Sequence, residues 1–312
     1  MPKISKLHSS DLSIIVVTYN RCTDLKESLD ALLSLEDPPR EIIVVDSNST
    51  DETCKTVTKY PVKFINLNER SMVKARNKGW KIAKGTIVAF VDDDAIVSKD
   101  WTKYILEPYT NKNVGGVVGR VISSRNNELV YVPKKNNAIG KVFKNGLVLG
   151  NFDLQTKNQI EVDTVIGCNM SFRKNLLIKV GGFDENFRGN CFRDDTDISL
   201  KIKKLNYKLI FNPKALVLHK YKGKNTSGRW FYWTTYNHTY FYLKNFRPIT
   251  PRKIINFLKT TFLPPADYVK KTKIKIKPTF SSFAYVLLGL INAIYVTRKG
   301  DPLRIEKILR ID

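Results

Sequence analysis

Three aspartates in a row close an apolar run: Thr86-Ile-Val-Ala-Phe-Val91 leads straight into Asp92-Asp93-Asp94. Crowded carboxylates repel one another unless a cation compensates them. The alternate pair Asp92-x-Asp94 offers hard oxygen donors that can hold one Mg²⁺ or Mn²⁺ and leave coordination positions open for phosphate. Two other apolar runs end in a comparably polar way, at Thr18-Tyr19-Asn20-Arg21 and at Asp46-Ser47-Asn48-Ser49-Thr50-Asp51. Any one of these could be only a capped turn, but three sharing one rim argue for a site. Further on, Arg193-Asp194-Asp195-Thr196-Asp197 gathers acids at one point. Such a cluster either complements the dipole at a helix start or supplies a carboxylate that accepts a proton.

These residues need elements to position them. Leu12–Thr18 and Glu41–Asp46 are short β-branched runs, the composition of strands buried on both faces. Between them, Asp24–Leu35 carries leucines near helical spacing and is stopped by Asp37-Pro38-Pro39. The pattern predicts a helix from Asp51, a strand over Val62–Asn66, a helix over Met72–Lys84 and a strand over Thr86–Val91. Strand and helix alternate with short links, which predicts an α/β fold with a mostly parallel central sheet. Ligands of such sheets gather beyond the carboxyl ends of the strands, where the three polar segments lie. Gly115–Val165 alternates weakly and reads as strands and long loops, and Leu205–His219 returns to strand patterning.

The whole chain has 312 residues, 42% hydrophobic and 26% charged, an ordinary globular composition able to bury a core. Its charge is unusual: 53 Lys and Arg against 29 Asp and Glu give +24, a field that draws phosphates. From Gly223 to Asp312 there are 17 basic residues and four acids, so more than half of the excess sits in under a third of the chain. Residues 1–222 therefore read as one unit and 223–312 as a basic appendage. Cys22, Cys54, Cys168 and Cys191 show no CxxC pair or metal-finger spacing and read as reduced thiols. The N-terminal MPKISKLHSSD has no apolar stretch of the kind that directs export.

The segments VVTYNR, VVDSNSTD, ARNKG, FVDDD, GCNMSFRK, GGFDENF and RDDTDISLK resemble, in this order, the motifs of family-2 glycosyltransferases with the GT-A fold. The likeness runs from about Leu12 to His219. It implies an inverting, metal-dependent transferase, of hexosyl type, that takes a sugar from a UDP-, GDP- or dTDP-linked donor. By the resemblance, Thr18, Tyr19, Asn20, Arg21 and Asp46 would hold the nucleotide, with Asp46 able to accept a hydrogen bond from a base imide. Arg76 would reach the donor, although an exposed helix charge is its plainer reading. Asp92, Asp93 and Asp94 would form the DxD corner, with Asp94 the direct metal ligand and Asp92 nearer the ribose or a metal-bound water. His219 would add a further metal ligand, or else be structural. Asn169 would line the sugar pocket or serve a turn. Asp195 would take the proton of the acceptor hydroxyl, with Asp194, an Asp where the family usually has Glu, as the other candidate.

The appendage has a character of its own. Trp230–Phe246 is more than half aromatic, Lys270–Lys277 is basic, and Phe280–Val296 is almost wholly apolar but, at 17 residues, short of the roughly 20 that a span needs. Basic residues flank it on both sides, which disfavours spanning. A helical region lying peripherally or monotopically on the anionic cytoplasmic face of a membrane is therefore predicted, with the aromatics at headgroup level. The other reading packs both segments on the catalytic unit. The acceptor would then be lipid-linked or a surface glycan, and a polyprenyl-phosphate acceptor is an alternative. A non-enzymatic nucleic-acid binder is the remote rival, but the basic residues flank an apolar helix and no RNA-binding signature is present. A nucleotidyltransferase would want a Gly-rich phosphate loop, and VVTYNRCTD has none.

Overall fold

A computed structural model describes residues 7–125, 128–129, 137–220, 228–248, 250, 252–253, 255, 257 and 280–299. The apolar runs form the heart of a ten-stranded sheet. Strands β1 (Leu12–Thr18), β2 (Glu41–Asp46), β3 (Lys63–Asn66) and β4 (Ile87–Asp92) pair in parallel in the order β4-β1-β2-β3. Buried Ile14, Ile15, Val16, Ile43, Val44 and Val88 explain their lack of alternation, because helices cover both faces. These helices include α1 (Cys22–Leu33), the short α2 (Thr53–Val57) and α3 (Met72–Ile82), with α4 (Trp101–Leu106) further along the chain. The helix expected from Asp51 shrinks to α2, whose first amide is bonded by the Asp51 side chain at 3.0 Å.

Beyond β4 the sheet becomes mixed. β5 (Ala95–Val97) follows the triple aspartate, and β6 (Val114–Arg125) is twelve residues long. β7 (Glu128–Leu129), β8 (Lys141–Val142), β9 (Val148–Leu149) and β10 (Ile160–Val162) are short; β11 (Asn169–Arg173) and β12 (Lys208–Lys220) complete the set. The order runs β10-β12-β6-β11-β4, with β11 antiparallel to both β4 and β6, while β6 and β12 are parallel. The weakly alternating segment thus hides a central strand. Its glycines are there for contact: a Cβ at Gly119 would lie 1.9 Å from the Ala215 carbonyl of β12.

After β11 come α5 (Lys174–Val180) and α6 (Asp194–Lys203), then α7 (Gly228–Asn245) and α8 (Phe280–Lys299). The aromatic block is α7, and it lies inside the protein: Tyr232, Trp233, Tyr236, Tyr240 and Phe241 join the same core cluster as the sheet. This corrects the expectation of a headgroup layer for those rings. One face of α8 packs on α7, where Ala293 and Val296 are buried and Asn292 donates to the Tyr232 hydroxyl at 2.6 Å. No helix among the described residues is long and apolar enough to cross a membrane. The basic run Lys270–Lys277 lies outside the described residues.

Candidate active site

The polar ends of β1, β2 and β4 open onto one cavity of about 840 Å³, as the sheet topology requires. Thr18, Tyr19, Arg21, Asp92, Asp93, Asp94 and His219 all lie on its wall. Three pieces of backbone fix the acidic corner. β4 delivers Asp92, β5 turns back to pair with β12 so that His219 stands opposite Ala95, and the Lys220 amide donates to the Asp94 carbonyl at 2.8 Å. Asp94 is bonded by Arg21 and lies 3.0 Å from His219 Nε2. Arg21 also reaches Asp93 at 3.4 Å.

The charges of the corner are unevenly matched. Burial alone would raise Asp94, but the bonds from His219 and Arg21 outweigh it and hold that carboxyl below its ordinary value. Burial pushes Asp93 up to about 7, opposed by Arg21. It also raises Asp92 against the pull of Arg76. His219 runs the other way: burial would lower it, and Asp94 holds it above its ordinary value. Carboxylates in such surplus, beside an imidazole, fit a hard divalent cation. Asp94, Asp92 and His219 have the donor atoms to hold one, and Arg21 occupies part of that charge deficit.

Arg76 stands elsewhere than the sequence led us to expect. Its guanidinium is buried, paired with Asp194 at the start of α6 and 3.5 Å from Asp92, and it is not on the cavity wall. Those two carboxylates overcome burial and keep it charged. It ties the corner to the second acidic motif rather than reaching outward. Asp194 spends its two oxygens on Arg76 and on the Asp195 amide. Asp195 is half-buried and accepts from the Gly167 amide at 3.1 Å and from the amide and hydroxyl of Thr196. Between Asp195 and the corner lies Cys168, whose thiol is pushed well up by burial and by Asp92, Asp94 and Asp195. The two acidic motifs therefore meet behind one wall of the cavity.

Residues 13–181 match Glycosyl transferase family 2. The chain belongs to that family. The poly-beta-1,6-N-acetyl-D-glucosamine synthase of Staphylococcus epidermidis is 25% identical over 213 residues, 66% of this chain and 48% of that protein. The chain spans about half the length of that relative. The glucosyl-dolichyl phosphate glucuronosyltransferase of Haloferax volcanii is 24% identical over 235 residues, 70% of this chain and 72% of that one. Among solved structures, a mannosyltransferase from Pyrobaculum calidifontis, in complex with GDP-Man and Mn²⁺, superposes with a TM-score of 0.56 at 18% identity, covering 96% of this chain and 78% of that one. S. aureus TarS gives 0.57 at 21% identity, covering 91% and 81%. These likenesses show the GT-A fold.

Three further residues of this family-2 chain stand differently from expectation. Asn169 is fully buried, accepts from Trp101 at 2.9 Å and donates to the carbonyls of Arg120 and Ala215. Both ends of its amide are committed inside the sheet, so it does not line a sugar pocket. Asp46 is buried and accepts from the amide and hydroxyl of Ser49, shaping the loop after β2. Asn20, at φ 51°, bonds Ser49 and Thr50 and fastens the first loop to the second. Neither Asn20 nor Asp46 is on the cavity wall. Tyr19 is, and the Arg70 guanidinium lies 4.2 Å over its ring.

The opposite wall went unread in the sequence. The loop Arg188–Cys191 and, from α7, Arg229, Trp230 and Trp233 form it. Asn237 of α7, fully buried, holds that loop like a short strand: its side chain accepts from the Arg188 amide at 3.0 Å and donates to the Arg188 carbonyl at 2.7 Å. Gly189 sits at φ 60° with its α-carbon against Trp233, where a Cβ would be 2.2 Å from the ring. Lower on α7, Lys244 bonds Asp184 at 2.6 Å and Asp197 of α6 at 2.7 Å, and Asn245 adds a bond to Asp197 at 2.9 Å. Asp197 is thus a buried anchor between helices as well as part of an acidic helix start.

Proposed function

We propose that the chain transfers a sugar from a nucleotide-diphosphate sugar to a hydroxyl or phosphate acceptor by a single displacement that inverts the anomeric centre. One observation carries the reading: the Asp92–Asp94 corner and the Asp194–Asp195 pair, far apart in sequence, are joined through Arg76 behind the wall of one cavity of about 840 Å³ on which Asp92, Asp93 and Asp94 lie. The β1 and β2 ends, with Tyr19 under Arg70, support a nucleotide at one end. A divalent cation, Mg²⁺ or Mn²⁺, held at Asp94, Asp92 and His219, would neutralise the charge of the departing diphosphate. Asp195 takes the acceptor proton. It is the better placed of the pair, because Asp194 is closed inside its ion pair with Arg76 while Asp195 is open to solvent in part.

The acceptor side is formed by the 188–191 loop and α7, with Arg188 and Arg229 facing the cavity. That chemistry favours an acceptor that is anionic or lipid-linked, a polyprenyl phosphate among the alternatives. We place the enzyme peripherally on the anionic cytoplasmic face of a membrane, through α8 and the basic segments beside it. The test is a panel of UDP-, GDP- and dTDP-sugars with Mg²⁺ or Mn²⁺, scored for donor-dependent stabilisation and slow donor hydrolysis. Asp195→Asn is expected to lower transfer by about 10²–10⁴-fold, the usual worth of a positioned base, with donor affinity unchanged. Robust turnover by Asp195→Asn removes that residue from its role, and no response to any donor removes the reading.

A further inference from the structure

Among the described residues, one group of metal donors is drawn from two strands and the turn that leads into a third. Asp92 ends β4, Cys168 stands one residue before β11, and His219 lies near the end of β12. A carboxylate oxygen, the thiol sulfur and an imidazole nitrogen, one from each, all lie within 4.8 Å of one another. The sheet fixes their backbones: Asn169 is in register with Val91, and His219 with Ala95. Cys168 is buried, whereas Asp92 and His219 are half-buried and line the cavity. An ion entering from the cavity would therefore meet oxygen and nitrogen first and sulfur on its inner side.

We propose that Asp92, Cys168 and His219 form a binding site for a thiophilic divalent cation, of the Zn²⁺, Co²⁺ or Cd²⁺ type. Mixed nitrogen, oxygen and sulfur donors select such ions, whereas Mg²⁺ takes oxygen ligands. Three protein ligands with a fourth position facing the cavity is the form of an open site. Bonds of about 2.0–2.3 Å require only that the three side chains close toward a common centre. On binding, the Sγ–H bond breaks, its proton leaves to solvent and the sulfur lone pair forms the bond to the metal, with no change of oxidation state. The site shares Asp92 and His219 with the Mg²⁺ or Mn²⁺ corner proposed above, so a thiophilic ion held there excludes the other.

Titration of the purified full chain with Co²⁺, without nucleotide, reads the proposal through the thiolate-to-cobalt charge-transfer band. That readout is independent of transfer, so this inference and the enzymatic reading can fail separately. The band is expected to saturate near one equivalent in the wild type and in the Cys22→Ser/Cys54→Ser double variant, and to vanish in Cys168→Ser. His219→Ala is expected to raise the half-saturating Co²⁺ at least about tenfold, the loss seen even for outer partners of a metal ligand. A wild type without the band, or a band undiminished in Cys168→Ser, overturns the proposal. Should Cys168→Ser fail to fold, the other two variants decide: a band lost in the double variant, or one indifferent to His219→Ala, overturns it equally.

Discussion

Arg76 shows what one residue does for this molecule. It is the shared counter-charge of two acids from motifs that sequence places far apart, its partner Asp194 lying 118 residues away. Removing it leaves Asp194 buried and uncompensated and the half-buried Asp92 without its partner, so Arg76→Ala is expected to destabilise the fold by about 3–5 kcal/mol in denaturant unfolding near neutral pH. A loss under 1 kcal/mol would contradict the buried pairing. His238 on α7 makes the opposite case. It is buried beside Phe192, Phe241 and Phe257, with Nδ1 unpartnered, and burial drives it from its ordinary 6.5 down to about 3, helped by Arg193. The unfolded chain therefore binds the proton more readily between those values. Stability contributed by the neutral ring is complete above pH 6.5 and declines as pH falls, by up to about 1.4 kcal/mol per unit. His238→Phe lacks this loss, so its stability relative to the wild type should rise as pH falls from 6.5 to 5, as paired denaturant unfolding at each pH would read. The triple aspartate and Arg21 were legible on one rim because strand ends of one α/β sheet must share it, whereas His219 came only from the family resemblance. The roles of Arg76 and Asn169 were not, since a helical or strand-end position gives no sign of a partner a hundred residues away.

At the scale of elements, α7 is the part that a sequence reading could least foresee. Its side chains are buried nearly all round, so no polar stripe marked its period. β6 was hidden for the converse reason: Gly115, Gly116 and Gly119 dilute an alternation that would otherwise read as strand. The strands β1, β2 and β4, buried on both faces, were plain as continuous apolar runs. Through Asn237 and Lys244, α7 holds both the cavity loop and the helix that carries Asp195. Lys244→Met leaves Asp184 and Asp197 without their shared cation, and is expected to lower kcat at least about fivefold while the donor KM changes little. Lys244→Arg should restore much of the loss. A donor KM that rises in step with the fall in kcat would show that α7 shapes the nucleotide end instead.

At the scale of the whole molecule, the boundary drawn near residue 222 separates compositions but not cores, because α7 and α8 complete the packing of the sheet. What α8 leaves outside is an apolar stripe: Leu287, Ile291, Ile294 and Tyr295 are 46%, 44%, 38% and 37% exposed, next to Arg298 and Lys299. Helical spacing puts the four on one face, which supports the proposed seat on an anionic bilayer, where each nearby base adds about 1 kcal/mol at low salt. The protein is expected to co-sediment with anionic liposomes at low salt and to be released by high salt. The exposed-face variant Leu287→Ser/Ile291→Ser should bind several-fold more weakly with an unchanged melting temperature. A chain that stays wholly in the supernatant at low salt would end the membrane assignment.

The pairing of β12 with β6 steps between Asn212 and Leu216, where four residues of one strand span a single step of the other. Side chains along a strand alternate sides. His219 is placed by the paired segment beyond the excursion at Pro213–Ala215, where it stands opposite Ala95 of β5 and Ser123 of β6. Insertions or losses within that excursion can be absorbed there without moving the ring, whereas a single residue gained or lost between Leu216 and His219 would turn the imidazole to the far side of the sheet.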